Sequence, residues 1–198
     1  MPDKAPVLKL LKKEASNEEI IEGFKASRPN AARLLFEEYE ELINNLVWRT
    51  LGADPEHDDV VQQVFIQILS SINKLKEPQR LESWVIGVTI NTVRKEIRSR
   101  RYRRWLHPAT TTEEPLAEGV SPDRRLAARR FYQVLEGMRA EHRTLLGLRF
   151  VEGYTVNEIA LHCGYALATA KRKLRRAQNA FVKRARRDPI LASWVEEP

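Results

Sequence analysis

Among 198 residues there is one cysteine, Cys163. A disulfide framework is thereby excluded, and so is a zinc site built from several thiolates. That cysteine usage is compatible with a reducing compartment, and a cytoplasmic location is expected. No apolar run approaches the ~18–20 residues that a membrane-spanning helix needs, so no membrane insertion is expected. The opening stretch MPDKAPVLKLLKKEA offers only Val7-Leu8 and Leu10-Leu11 between lysines. That is too little for the apolar centre of a signal peptide. Glycine is scarce, at eight residues, and no strand-like alternation persists.

What the chain does have is helical periodicity and positive charge. Apolar residues recur at i, i+3, i+4 and i+7 almost throughout, which predicts an all-α fold. Hydrophobic residues make up 42% and charged residues 31%, enough for real cores beneath large solvated faces. There are 34 Lys+Arg against 27 Asp+Glu, a net charge of +7. This balance favours a polyanionic partner such as nucleic acid.

Ser16 with Glu19 reads as a capping box opening a first helix. Pro29 introduces a longer helix to about Leu51, with Leu34, Leu35, Tyr39, Leu42, Ile43 and Val47 facing inward. After GADPEHD, a helix is predicted over Asp59–Leu75. Val60, Val61, Val64, Phe65 and Ile68 form its apolar stripe; Asp59, Gln62, Gln63 and Gln67 form the opposite face. KEPQR is a turn, and Leu81–Trp105 a further long helix. Residues 107–123 are rich in Pro, Thr and acids and read as a flexible linker. At about 17 residues it spans at most roughly 55–60 Å when extended. The expected organisation is therefore a basic tail (1–15), a helical domain (16–106), the linker (107–123), a second helical domain (124–187) and a C-terminal tail (188–198). That tail carries Ile190, Leu191 and Trp194 and is expected to pack back on the two-helix unit around Thr155–Ala177; binding a regulator is the other reading.

In the second domain Thr155 and Glu158 form another capping box, and Gly164 is placed to end that helix in the left-handed region. A new helix resumes near Ala166, with Leu167, Ala170, Leu174 and Ala177 as its apolar stripe. Two helices joined by a tight turn, the second basic, are the helix-turn-helix arrangement whose second helix enters the DNA major groove. Ala168, Thr169, Lys171 and Arg172 lie in its N-terminal half, where base edges are reached. Lys173, Arg175 and Arg176 follow, within nine basic residues and no acid from Lys171 to Arg187. The bland alternative is a solvated surface helix. His162 beside Cys163 reads as a half-buried turn, not a metal pair, because no second cysteine is near. His57, His107 and His142 form no ligand-spaced set, and no metal or cofactor is expected.

The upstream helix is also basic. Asn91–Arg104 holds seven Lys and Arg residues, among them Arg94, Lys95, Arg98 and Arg101. Arg94, Arg98 and Arg101 fall on one helical face. Trp84, Tyr102 and Trp105 lie beside or among them. Cations with nearby rings suit a strand-separating surface, on which phosphates are held and unstacked bases are received. For Trp84 a core position is the competing reading.

In this order the pieces resemble a known family. HDDVVQQVFIQIL resembles the ED-L-V-Q-E-V-F helix of bacterial sigma factors. LESWVIGVTINTVRKEIRSRR resembles their F-x-x-W-L-x-x-I-A-x-N-x-x-x-D-x-x-R helix. RTLLGLRFVEGYTVNEIALHCGYALATAKRKLRRAQNAF resembles their region four. The large additional regions of housekeeping sigma factors are lacking, so the chain resembles a two-domain extracytoplasmic-function sigma factor of the sigma-70 family over about residues 30–185.

The resemblance implies a non-catalytic specificity subunit that directs core RNA polymerase to promoters. It implies that Asp58, Asp59, Gln62, Gln63 and Phe65 meet the clamp helices of the polymerase β′ subunit. It implies that Asn73, Lys74, Trp84, Asn91, Arg94, Lys95, Arg98 and Arg101 read and melt the −10 element. Ala168, Thr169, Lys171, Arg172, Lys173, Arg175 and Arg176 would read the −35 element as duplex, with the segment around Arg143–Phe150 near the β flap. An anti-sigma factor is an implied partner, and the free chain is expected to be a monomer. Departures from the pattern are Gln63 in place of an acid, Ala166 in place of a capping Ser or Thr, and Leu167 and Ala170 in the S-x-G-T-V-K stretch. Two other classes compete with this reading: a stand-alone helix-turn-helix regulator, expected to dimerise, and a nucleic-acid enzyme such as a recombinase. The acids Asp54, Glu56, Asp58 and Asp59 cluster at a helix start with no nucleophile beside them, which disfavours the enzyme.

Overall fold

The computed structural model describes residues 16–52, 54–106 and 122–195, and every described element is helical. The predicted N-terminal tail and nearly all of the predicted linker lie outside the described residues.

The first helix, α1 (Asn17–Lys25), opens at Ser16, whose Oγ accepts from the Glu19 amide at 3.1 Å, the serine half of the expected capping box. It buries Ile20 and Ile21. Helix α2 (Ala31–Leu51) begins two residues after Pro29 and stops at Gly52, whose φ of 76° an L side chain adopts only with strain. Helix α3 (His57–Ser71) starts two residues earlier than predicted and tightens into a short 3-10 turn over Ile72–Lys74. Helix α4 (Leu81–Leu106) has 26 residues, about 39 Å at 1.5 Å per residue. Leu35, Tyr39, Ile43, Val64, Ile68, Val85 and Val93 pack these four helices around one core.

Beyond residue 121, α5 (Pro122–Glu136) leads to α6 (Ala140–Leu146), which runs on through a π-helical turn, Gly147–Val151. The helix-turn-helix follows as α7 (Val156–Cys163) and α8 (Leu167–Ala185). Leu135, Met138, Leu146 and Ala177 form a core here, with Phe131 and Phe181 against it. The C-terminal tail folds as α9 (Pro189–Val195), started by Asp188, whose carboxylate accepts from the Ile190 and Leu191 amides. Leu191 is buried and α9 packs on α5 and α8, in keeping with the packing expectation.

A third core joins the two halves. Leu46 of α2 and Ile86 and Ile90 of α4 meet Leu145, Leu148, Ile159 and Leu174. Helix α4 therefore buries two faces: Leu81, Val85, Val93 and Ile97 turn to the N-terminal core, and Ile86 and Ile90 to the shared one.

Candidate nucleic-acid interface

On α3 the polar face stands clear. Asp58, Asp59, Gln62 and Gln63 are all exposed. Phe65, which the resemblance adds to the polymerase-facing set, is instead buried at 8% exposure on the apolar stripe that periodicity assigns it, with its ring 4.8 Å from Phe36. Its place is one helical step off the polar stripe, so it turns inward with Val64 and Ile68. Large apolar groups do reach the surface here: Ile66, Leu69 and Phe36 are each more than two-fifths exposed. Ile66 and Leu69 are not among the expected contacts, although their spacing from Gln62 (i+4 and i+7) puts them on its face.

Helix α4 divides its cations. Asn91, Lys95 and Arg98 are exposed and, at spacings of four and three, share one face. Asn73 and Lys74 are exposed in the turn after α3. Trp84 is half-buried and packs against the N-terminal core, as its competing reading had it. The side chain of Arg101 lies outside the described residues. Arg100 is drawn to the acids Asp54, Glu56 and Glu96, its Nε lying 2.9 Å from Glu96.

Arg94 departs from the expected DNA-facing set, being only 8% exposed. Its Nη2 donates to Cys163 Sγ at 3.3 Å, and its guanidinium lies 5.7 Å from the centre of the Tyr165 ring. Arg94 Nε has no hydrogen-bond partner. The cause is the approach of α7. Gly87 allows it: a Cβ there would come within 3.0 Å of the His162 carbonyl oxygen.

The helix-turn-helix has the predicted joints. Thr155 and Glu158 complete a reciprocal capping box, and Gly164 is left-handed, with φ 65°. On α8, Ala168, Lys171, Arg172, Arg175 and Arg176 are exposed and Thr169 is half-buried. Ala170, Leu174 and Ala177 face inward, whereas Leu167, predicted to join them, is 41% exposed. It sits in the first turn, ahead of the point where α8 meets the core. No side chain caps α8 at Ala166.

Lys173 does not share the exposed face. Its Nζ lies 2.5 Å from Glu141 Oε1 and 5.0 Å from the Tyr165 ring centre, and the Tyr165 hydroxyl donates to the same carboxylate oxygen at 2.8 Å. Burial pushes the Glu141 carboxyl upward, but the hydrogen bonds from Lys173 and Tyr165 more than offset it and hold the group below its ordinary range. Burial raises the Cys163 thiol, against the pull of Arg94.

Further polar contacts bind the halves. Arg143, buried in α6, donates to the carbonyls of Thr50 at 2.9 Å and Leu51 at 2.6 Å. These are orphan carbonyls at the C-terminus of α2, where a cation is favoured. Arg49 reaches the buried Glu152 at 3.1 Å. Among the described residues, no three His, Cys, Asp or Glu side chains are grouped to hold a metal, and no helix is long and apolar enough to cross a membrane.

Residues 35–103, from within α2 to near the end of α4, match the family model described as sigma-70 region 2. The RNA polymerase sigma-H factor of Pseudomonas aeruginosa is similar: 23% identical over 181 residues, covering 86% of this chain and 94% of that protein. The ECF RNA polymerase sigma factor SigL of Mycobacterium tuberculosis is 25% identical over 165 residues, covering 81% and 92%. Among solved structures, the sigma factor RpoE in complex with the anti-sigma factor NepR, from Bartonella quintana, is similar in fold. Its TM-score is 0.56 at 17% identity, covering 78% of this chain and 96% of that one.

Proposed function

We propose that this chain, which matches the sigma-70 region 2 model over residues 35–103 and is similar to extracytoplasmic-function sigma factors, acts as one of them, with labour divided between two DNA-reading surfaces and one polymerase-docking surface. The chain directs core RNA polymerase to promoters and starts DNA-templated transcription. In this reading it is a non-catalytic specificity subunit, like the sigma factors it resembles.

The observation that carries this reading is the coincidence of the matched segment with exposed, chemically distinct helix faces. Residues 35–103 include the polar face of α3 and the basic face of α4. In this reading Asp58, Asp59, Gln62 and Gln63 dock on the polymerase β′ clamp, with Ile66 and Leu69 extending the contact into apolar surface. Asn73, Lys74, Asn91, Lys95, Arg98 and, once freed, Arg94 engage the −10 element. The exposed α8 face, Ala168, Lys171, Arg172, Arg175 and Arg176, enters the major groove at the −35 element, its cations meeting phosphates and base edges. Two reading domains tied through residues 107–123 gain affinity by effective concentration when both sites are reached at once. An anti-sigma factor is a fitting regulator, since the structurally similar RpoE is held by one.

The test is in vitro transcription with purified core polymerase on sheared genomic DNA. Discrete start sites sharing two upstream elements at fixed spacing are expected. Absence of core binding and of starts, with folded monomeric protein, overturns the reading. A palindromic footprint from a dimer without polymerase supports the stand-alone regulator instead. Arg172→Ala is expected to weaken −35-dependent initiation by about 1–3 kcal/mol if it reads a base; a purely phosphate-contacting residue instead lowers the salt slope by about one.

A further inference from the structure

Among the described side chains, the cation from each DNA-reading set that is missing from the exposed faces is found in one place. Arg94 of the −10 set and Lys173 of the −35 set both lie over the ring of Tyr165, at 5.7 and 5.0 Å. Lys173 and the Tyr165 hydroxyl share one oxygen of Glu141, and Arg94 is close enough to help lower that carboxyl.

We propose that Glu141 and Tyr165 form an internal decoy for nucleic acid. The carboxylate stands in for a backbone phosphate and the ring for an unstacked base. Together they hold Arg94 and Lys173 at one ring and withhold Arg94 from the −10-reading face of α4, whose Asn91, Lys95 and Arg98 stay exposed, until core polymerase separates the halves. The inference rests on the −10 and −35 roles given above.

Two features make this a latch and not simply a core. Arg94 is held weakly: a thiol is a poor acceptor, and its buried Nε has no partner. A phosphate offers that guanidinium a paired, charge-assisted contact that the closed form lacks. The apposition is also tight at a residue without a side chain, since a methyl at Gly87 would press on the His162 carbonyl. The rest of the junction is better satisfied, with Arg143 on the α2 carbonyls and Arg49 on Glu152. The closed form is thus held at its edge and loose at its DNA-reading centre.

A reversible staple tests this. A Cβ at Gly147 would lie 3.7 Å from Thr50 Oγ1, with ordinary contacts around it. Thr50→Cys with Gly147→Cys, in a Cys163→Ser background, is therefore set to close a disulfide between the halves. With core polymerase and a promoter found from wild-type start sites, the oxidised protein is expected to lose about tenfold or more of its transcription, as when a competent state is removed. Reduction restores it to the level of Cys163→Ser alone. Oxidised protein that transcribes as well as reduced protein overturns the latch while leaving the sigma reading standing. Failure of wild-type, background and reduced proteins alike overturns that reading, and the latch with it.

A second measurement needs no staple. Cys163 is the chain's only cysteine, and it lies in the closed junction against Arg94. Its alkylation in wild-type protein is expected to speed up several-fold on adding core polymerase, and in Gly87→Ala or Glu141→Gln without polymerase. An unchanged rate in all three overturns the latch.

Discussion

At the scale of single residues, the most informative positions are those where a local rule is broken. Ala166 has the extended backbone of an N-cap (φ −63°, ψ 144°) and no side chain that can cap. Ala166→Ser supplies an acceptor for the exposed amides of the first turn of α8. It is expected to stabilise the protein by about 0.5–2 kcal/mol, read as a shift in urea midpoint at constant slope. His162 gives a pH prediction. Burial lowers its pKa from 6.5, against Glu158 and Glu82, and burial lowers His142 as well. On acidification through 6.5 the unfolded chain takes up protons first. The stability these histidines contribute is thus full above that pH and is lost as pH falls through their folded values. Thermal midpoints measured on either side of the window are expected to drop on the acid side, and to drop less in His162→Gln. Glu152, raised by burial against the pull of Arg49, works with the opposite sign above the carboxylate range. It is common to both proteins and cancels in the comparison.

At the scale of elements, α9 tests how far a terminal helix belongs to the fold. Leu191 is 5% exposed, and removing a buried leucine side chain costs about 2–5 kcal/mol. Leu191→Ala, or deletion of residues 188–198, is therefore expected to lower the unfolding midpoint; unchanged stability would show α9 to be an ornament. Helix positions were largely legible in the sequence because local chemistry sets them. Ser16, Thr155 with Glu158, and Gly164 each satisfy orphan groups at a helix end. Facing was legible wherever one stripe met one core, as for Ile43 and Val64. It failed for Arg94 and Leu167. Arg94 lies on a helix that buries two faces, so charge alone does not say which side meets water. Leu167 sits in a first turn that overhangs the core.

At the scale of the whole molecule, the junction between the halves was the least legible feature, because its partners are far apart in sequence. Arg143 finds the α2 carbonyls 92 and 93 residues upstream, and no periodicity within either segment encodes that meeting. The shared core has a thermodynamic consequence. Ile90 is 2% exposed and lies in α4, yet it packs with residues of the C-terminal half. Two domains with separate cores unfold separately, whereas a shared core couples them into one transition. Free protein is expected to unfold in a single calorimetric transition whose van't Hoff and calorimetric enthalpies agree. Ile90→Ala is expected to cost about 2–5 kcal/mol if the cavity persists, and to split that transition if the halves part instead. A split on Ile90→Ala, with Leu135→Ala in the separate C-terminal core lowering only one of the two transitions, would locate the coupling in the shared core. A wild-type protein that already unfolds in two steps would place the halves apart in solution, and the burial of Arg94 would then have no hold on DNA reading.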